Sequence, residues 1–183
     1  ATKLILAEFP ESAVLWKIAG AIQTQRQDIN GARYSFERAI DIAPNDPENH
    51  KNFAYFLMTN NELEKVERHY SEALRLRPDY FDAIIGLASY FSETERFIES
   101  EKYYKDALAI DSGNSAIWLA LGYAQIMIGN HSIAISSLRK SLSLDPKNHD
   151  AQYNLGLALS NLENWDQAEH AYRKAISINP RSI

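Results

Sequence analysis

The sequence predicts an all-α fold, a right-handed α-solenoid (superhelix) of antiparallel helix hairpins, and three observations carry that expectation. A small residue returns at a fixed interval of 34 positions, at Gly20, Ala54, Ala88, Gly122 and Gly156. Proline closes most of the same intervals, at Pro44, Pro78, Pro146 and Pro180, with Ser112 as the exception. Between these marks lie two helix-length segments whose apolar residues recur at three- and four-residue spacing, the pattern of an amphipathic helix.

The period divides the chain into 13–46, 47–80, 81–114, 115–148 and 149–182. The first block carries Trp16, Gly20, Ala32, Phe36 and Ala39 ahead of Pro44. In the second, His50 replaces the tryptophan and Val66 breaks a small column, but Ala54, Tyr70 and Ala73 keep their places. The third has Ile84, Ala88, Ser100, Tyr104 and Ala107. The fourth is the most regular, with helices expected over 115–128 and 131–144 and a break at Gly129-Asn130. The fifth repeats the scheme with Gln152, Gly156, Ala168, Tyr172 and Ala175. Small residues recur where paired helices approach closely, and the bulky residue fills the gap beside them. Proline blocks further helix and fixes the turn. One hairpin cannot bury its apolar face alone, so the blocks are expected to stack as one continuous array. Residues 1–12 are expected to be the second helix of a partial preceding repeat, with Pro10 one period before Pro44, and the whole to be a segment of a longer array or multidomain protein.

Composition narrows the function. A chain of 183 residues with 45% hydrophobic and 23% charged residues is a folded one. The formal charge of -5, with Lys and Arg interspersed among acids, argues against nucleic acid as the main partner. No cysteine is present, which removes disulfides, cysteine-ligated zinc and thiol catalysis. No apolar run approaches the roughly 20 residues needed to cross a bilayer, so no membrane insertion is expected. The cytoplasm is the expected compartment, with the periplasm and secretion left open by the lack of cysteine. No glycine-rich phosphate loop, nucleophile elbow or metal-binding His pair on a helix occurs. His50 is expected as a packing substitution, His69, His131 and His170 as solvated, and His149-Asp150 as a helix start. The expectation is a non-enzyme without catalytic residues, metal or cofactor.

The motif Trp118-x2-Leu121-Gly122, followed by Ala134, Leu138, Ser141 and Pro146, resembles the tetratricopeptide repeat (TPR) family, and the likeness extends over about the whole chain. Departures at Ala19, Gln23, His50 and Gln125 are expected to weaken individual contacts. The resemblance implies that first helices line a concave groove, through repeat positions 2, 5, 9 and 12. Those positions hold Val14, Lys17, Ala21 and Thr24, then Glu48, Lys51, Tyr55 and Met58, then Asp82, Ile85, Ser89 and Ser92. In the last two blocks they hold Ala116, Leu119, Tyr123 and Ile126, then Asp150, Tyr153, Leu157 and Ser160. The expected partner-binding residues are Lys17, Lys51, Asn52, Tyr55, Ile85, Leu119, Tyr123, Ile126, Tyr153 and Asn154.

Two known groove chemistries of the family are tested by these residues. The two-carboxylate clamp for acidic chaperone tails finds Lys17 and Asn52 in place, but Ala21, Asp82 and Gly86 are wrong for it, and Asp82 would repel the ligand. The asparagine ladder of O-linked N-acetylglucosamine transferase arms keeps only Asn52 and Asn154. The leading expectation is a non-catalytic scaffold or adaptor that binds a protein or peptide segment in its groove. A second is the substrate-presenting arm of a larger glycosyl- or sulfotransferase, for which Leu6-Ala7-Glu8-Phe9-Pro10 offers a weak likeness to bacterial sulfotransferase arms. A third is a self-assembly module, forming a homo-oligomer through terminal repeats.

Overall fold

The computed structural model describes residues 8–180, and the helix expected within residues 1–12 falls largely outside them. The fold is all-α, of the α-solenoid class built from antiparallel hairpins, and among the described residues there is no strand. Two compact units divide the chain, residues 1–90 and 91–183, with the boundary inside the third period.

In the first unit, α1 (Ala13–Gln25) and α2 (Ile29–Ile42) form one hairpin. A second comprises α3 (Pro47–Thr59), a 3-10 turn at Leu63–Lys65 and α4 (Val66–Leu76), followed by α5 (Phe81–Glu93). The second unit holds α6 (Phe97–Ile110), α7 (Ser115–Met127), α8 (His131–Leu144), α9 (His149–Ser160) and α10 (Trp165–Ile178). In the first unit α1, α2, α3 and α4 each pack on the next in sequence, as do α6 to α10 in the second, and the first helices of adjacent hairpins also touch, α1 with α3 and α7 with α9.

Short polar residues start the first helices. The side chains of Ser12, Asp46, Asn114 and Asn148 accept backbone N–H groups that no helical carbonyl reaches, and Pro47 occupies a first-turn site where its missing N–H costs nothing. The turn between the two helices of each repeat has its own periodic feature. Gln27, Asn61, Glu95, Gly129 and Glu163 all lie at positive φ, between 58° and 88°. Glycine stands at only one of these left-handed positions.

Small-residue columns are places of helix contact. A Cβ added at Gly20 would lie 2.8 Å from Phe36, at Gly122 2.6 Å from Leu138, and at Gly156 2.6 Å from Tyr172. Each bulky partner comes from the second helix of the same hairpin. In three of the five first helices, a ring in the first turn supplies a second recurrent tie. Trp16 Nε1 donates to the Pro10 carbonyl at 2.7 Å, and Trp118 Nε1 to the Ser112 carbonyl at 2.9 Å. His50 Nε2 reaches the Pro44 carbonyl at 2.8 Å, six residues back like the other two. His50 thus retains the ring N–H donor of the tryptophan it replaces.

Two sequence expectations are corrected here. Gln23 and Gln125 make contacts where their loss was expected: the Gln23 side-chain amide lies 2.6 Å from Ser35 Oγ, and Ser137 Oγ donates to Gln125 at 2.7 Å. Gln125, only 1% exposed, also donates to Glu101. A buried amide with its donor and acceptor both matched replaces an aromatic side chain without an unpaired polar atom. His69 is not solvated. Its ring is half-buried, 3.2 Å from His50 through the two Nδ1 atoms, and edge-on to Phe53 at 4.8 Å.

Candidate groove on the first unit

The first helices of the first unit enclose a groove of about 840 Å³. Its walls follow from helical spacing: residues three or four apart share a face, so α1 contributes Lys17, Ile18, Ala21, Thr24 and Gln25. From α3 come Glu48, Lys51, Asn52, Tyr55, Phe56 and Met58, and from α5 come Asp82, Ile85, Gly86 and Ser89. Phe36 of α2 and Tyr70 of α4 reach through between the first helices to form part of the floor. These two belong to the bulky column, which sequence reasoning assigned to hairpin packing alone. The signal was present in the glycines opposite them. A Cβ at Gly86 would overlap the Tyr70 ring, just as one at Gly20 would overlap Phe36. Gly86 therefore cannot carry the asparagine that a peptide ladder requires.

Of the ten residues expected to meet a partner, Lys17, Lys51, Asn52, Tyr55 and Ile85 line this groove. Tyr55 is 59% exposed and Ile18, on the α1 wall of the same groove, is 48% exposed, leaving apolar surface open to solvent. The lysines are less available. Lys17 Nζ sits 2.7 Å from Glu48 and 3.6 Å from Asp46, and Lys51 Nζ is 3.7 Å from Asp82. Each pair ties one first helix to the next. Lys51 also lies 5.8 Å from the centre of the Tyr80 ring, on which Arg77 stacks. Burial, then the charges of Glu48 and Asp82, push the Tyr80 hydroxyl up to about 12, so it stays protonated.

The other five residues lie in the second unit and take different roles. Tyr123 is 38% exposed and meets Phe97 edge-on, and Tyr153 is 55% exposed and tilted against Tyr172. Asn154 is half-buried. Leu119, like the neighbouring Leu157, packs partly against the core. Ile126 is a correction: it is 6% exposed and belongs to the core cluster with Ala134, Ile135, Leu138 and Leu155. Its position lies at the edge of the inner face, and an aliphatic side chain there gains more by turning inward. Among the described residues no cluster of three or more His, Cys, Asp or Glu side chains could hold a metal ion, and no helix is long and apolar enough to cross a membrane.

Two Tetratricopeptide repeat models match residues 115–148 and 149–182. The chain is 26% identical over 120 residues, 64% of its length, to General transcriptional corepressor trfA of Dictyostelium discoideum. It is 27% identical over 135 residues, 73% of its length, to Protein O-mannosyl-transferase TMTC3 of Homo sapiens. It spans only 9% and 14% of those two proteins. Among solved structures it is similar to YrrB, described as a TPR protein with an unusual peptide-binding site, at a TM-score of 0.88 and 18% identity, covering 100% of this chain and 94% of that one. MamA from Desulfovibrio magneticus RS-1 gives 0.87 at 16% identity, covering 93% and 96%. At such identities the likeness is one of fold.

Proposed function

The chain belongs to the tetratricopeptide repeat family, and on that premise we propose that it is a non-catalytic scaffold holding a peptide or protein segment in the groove of its first unit. The observation that carries this reading is the groove itself, with Tyr55 and Ile18 exposed over a floor of Phe36, Phe56 and Tyr70. Apolar and aromatic surface left in water beside polar groups is typical of a recognition patch. Binding rather than bond-making is also favoured by the state of the ionisable groups. The two lysines are engaged by carboxylates, and Tyr80 holds its proton firmly. Residues with that engagement anchor helices to one another and make poor bases or nucleophiles.

Panning a displayed library of random peptides against the chain tests the proposal. Recovered peptides should bind wild type, and Tyr55→Ala should weaken them at least tenfold while leaving the helical circular dichroism signal unchanged. Peptides indifferent to Tyr55 would place recognition elsewhere.

The similarity to TMTC3 favours a second reading, in which these repeats present substrates to a transferase domain in the parent protein. In that case Tyr55→Ala in the parent would raise KM for a protein acceptor and leave kcat near its wild-type value.

A further inference from the structure

We infer that the groove of the first unit selects a basic segment: a short apolar stretch carrying Lys or Arg, whose cationic groups meet Glu48 and Asp82. The inference rests on the groove reading above and adds the chemistry of the occupant. Its basis is an asymmetry of depth within the groove's ion pairs. The Lys17 and Lys51 side chains are 14% and 20% exposed, whereas those of Glu48 and Asp82 are 46% and 62% exposed. In each pair the carboxylate side chain is therefore the more exposed member, and the lysine the more buried one. Lys17 is further covered by Asp46, whose side chain is 34% exposed.

An incoming ligand meets oxygen before it meets nitrogen. Two ammonium groups stand against the three carboxylates of Asp46, Glu48 and Asp82, so the set carries one net negative charge. A carboxylate each from Glu48 and Asp82 keeps unpaired lone pairs toward solvent, since each has one lysine partner and a carboxylate has room for more. The exposed Tyr55 ring, about two helical turns along α3 from Glu48 and lining the same groove, adds a surface that attracts cations as well as apolar groups. An acidic segment would have to displace Glu48 and Asp82 from their lysines, or accept repulsion from both. The charge pattern is thus opposite to that of a two-carboxylate clamp, although both lysines are present.

The composition of the library-selected peptides provides the test. Binders that require Tyr55 should be enriched in Lys and Arg over Asp and Glu. Synthetic copies with each Lys or Arg replaced by Gln should bind about tenfold more weakly, the product of two exposed charge contacts. Binding of the basic peptides should also weaken as salt rises from about 0.05 to about 0.3 M. The double variant Glu48→Gln, Asp82→Asn should lose the preference and gain affinity for acidic peptides, because it unmasks the lysines. Its circular dichroism and melting curve establish that it is folded, and the salt dependence of wild type reads the charge contacts without any substitution. Tyr55-dependent binders that are neutral or acidic would overturn the charge assignment and leave the groove reading standing. Failure to recover any binder that depends on Tyr55 would overturn both.

Discussion

His50 and His69 illustrate what a single substitution within a repeat brings with it. His50 keeps the ring N–H that Trp16 and Trp118 use, donating through Nε2 to the Pro44 carbonyl. In the neutral ring its Nδ1 is then an acceptor, and His69 supplies the proton across 3.2 Å. Burial, followed by the neighbouring His50, Arg68 and Lys65, holds His69 down to about 4, against the opposing pull of Glu72. A histidine whose folded value is lowered stabilises the protein fully above its unfolded value near 6.5, and that contribution fades as pH falls from there toward 4. The loss should be on the order of 1–2 kcal/mol, allowing for solvent screening of a ring that is only half-buried. Urea denaturation at several values of pH would show it as a falling midpoint, and His69→Phe, which keeps the contact with Phe53, should remove that part of the slope.

At the scale of one element, the turn joining two helices holds the clearest unused reserve of stability. Gln27, Asn61, Glu95 and Glu163 occupy left-handed backbone at the place where the fourth repeat has Gly129. A side chain there costs about 1 kcal/mol, and glycine removes that cost while giving some back as entropy of the unfolded chain. Glu95→Gly and Glu163→Gly should each raise stability by about 0.5 kcal/mol, whereas Gly129→Ala should lose about 1 kcal/mol. Asn61→Gly should change little, since asparagine tolerates this conformation. Thermal melts of the four variants give the comparison. The period of the helices was legible from packing columns, because size at a close contact is dictated by the neighbour. The left-handed turn was not, since one glycine among five residues is a faint signal. The Gln–Ser pairs were readable in principle: Gln23 with Ser35 and Gln125 with Ser137 share the same separation of 12, but each glutamine taken alone looks like a defect.

Over the whole molecule, repeat position shows which residues line a helix face and fails where charge or a boundary decides. Lys17 and Lys51 were recognised as groove residues, yet their neutralising partners stand 31 positions ahead in the next repeat, a relation visible only once the first helices lie side by side. Ile126, at the same repeat position as the groove-lining Thr24 and Met58, turned to the core because its surroundings offered apolar neighbours. The two environments predict opposite outcomes. Ile126→Ala should cost about 2–4 kcal/mol as a cavity in a packed cluster, and Tyr55→Ala should stay within about 0.5 kcal/mol of wild type in chemical denaturation. A large loss at Tyr55 would mean that its ring braces the fold and is no recognition surface.

The indole tethers give the protein an optical signature. Trp16 lies in the first unit and Trp118 in the second, each with its Nε1 proton committed to a carbonyl, whereas Trp165 is 64% exposed. Replacing Trp165 by Phe removes the solvent-facing indole, and single-tryptophan versions retaining Trp16 or Trp118 then each report on one unit through one indole. Loss of the carbonyl partner on melting alters the emission of each indole at the temperature where its own repeat opens, so the chain reports its unfolding region by region without an added dye.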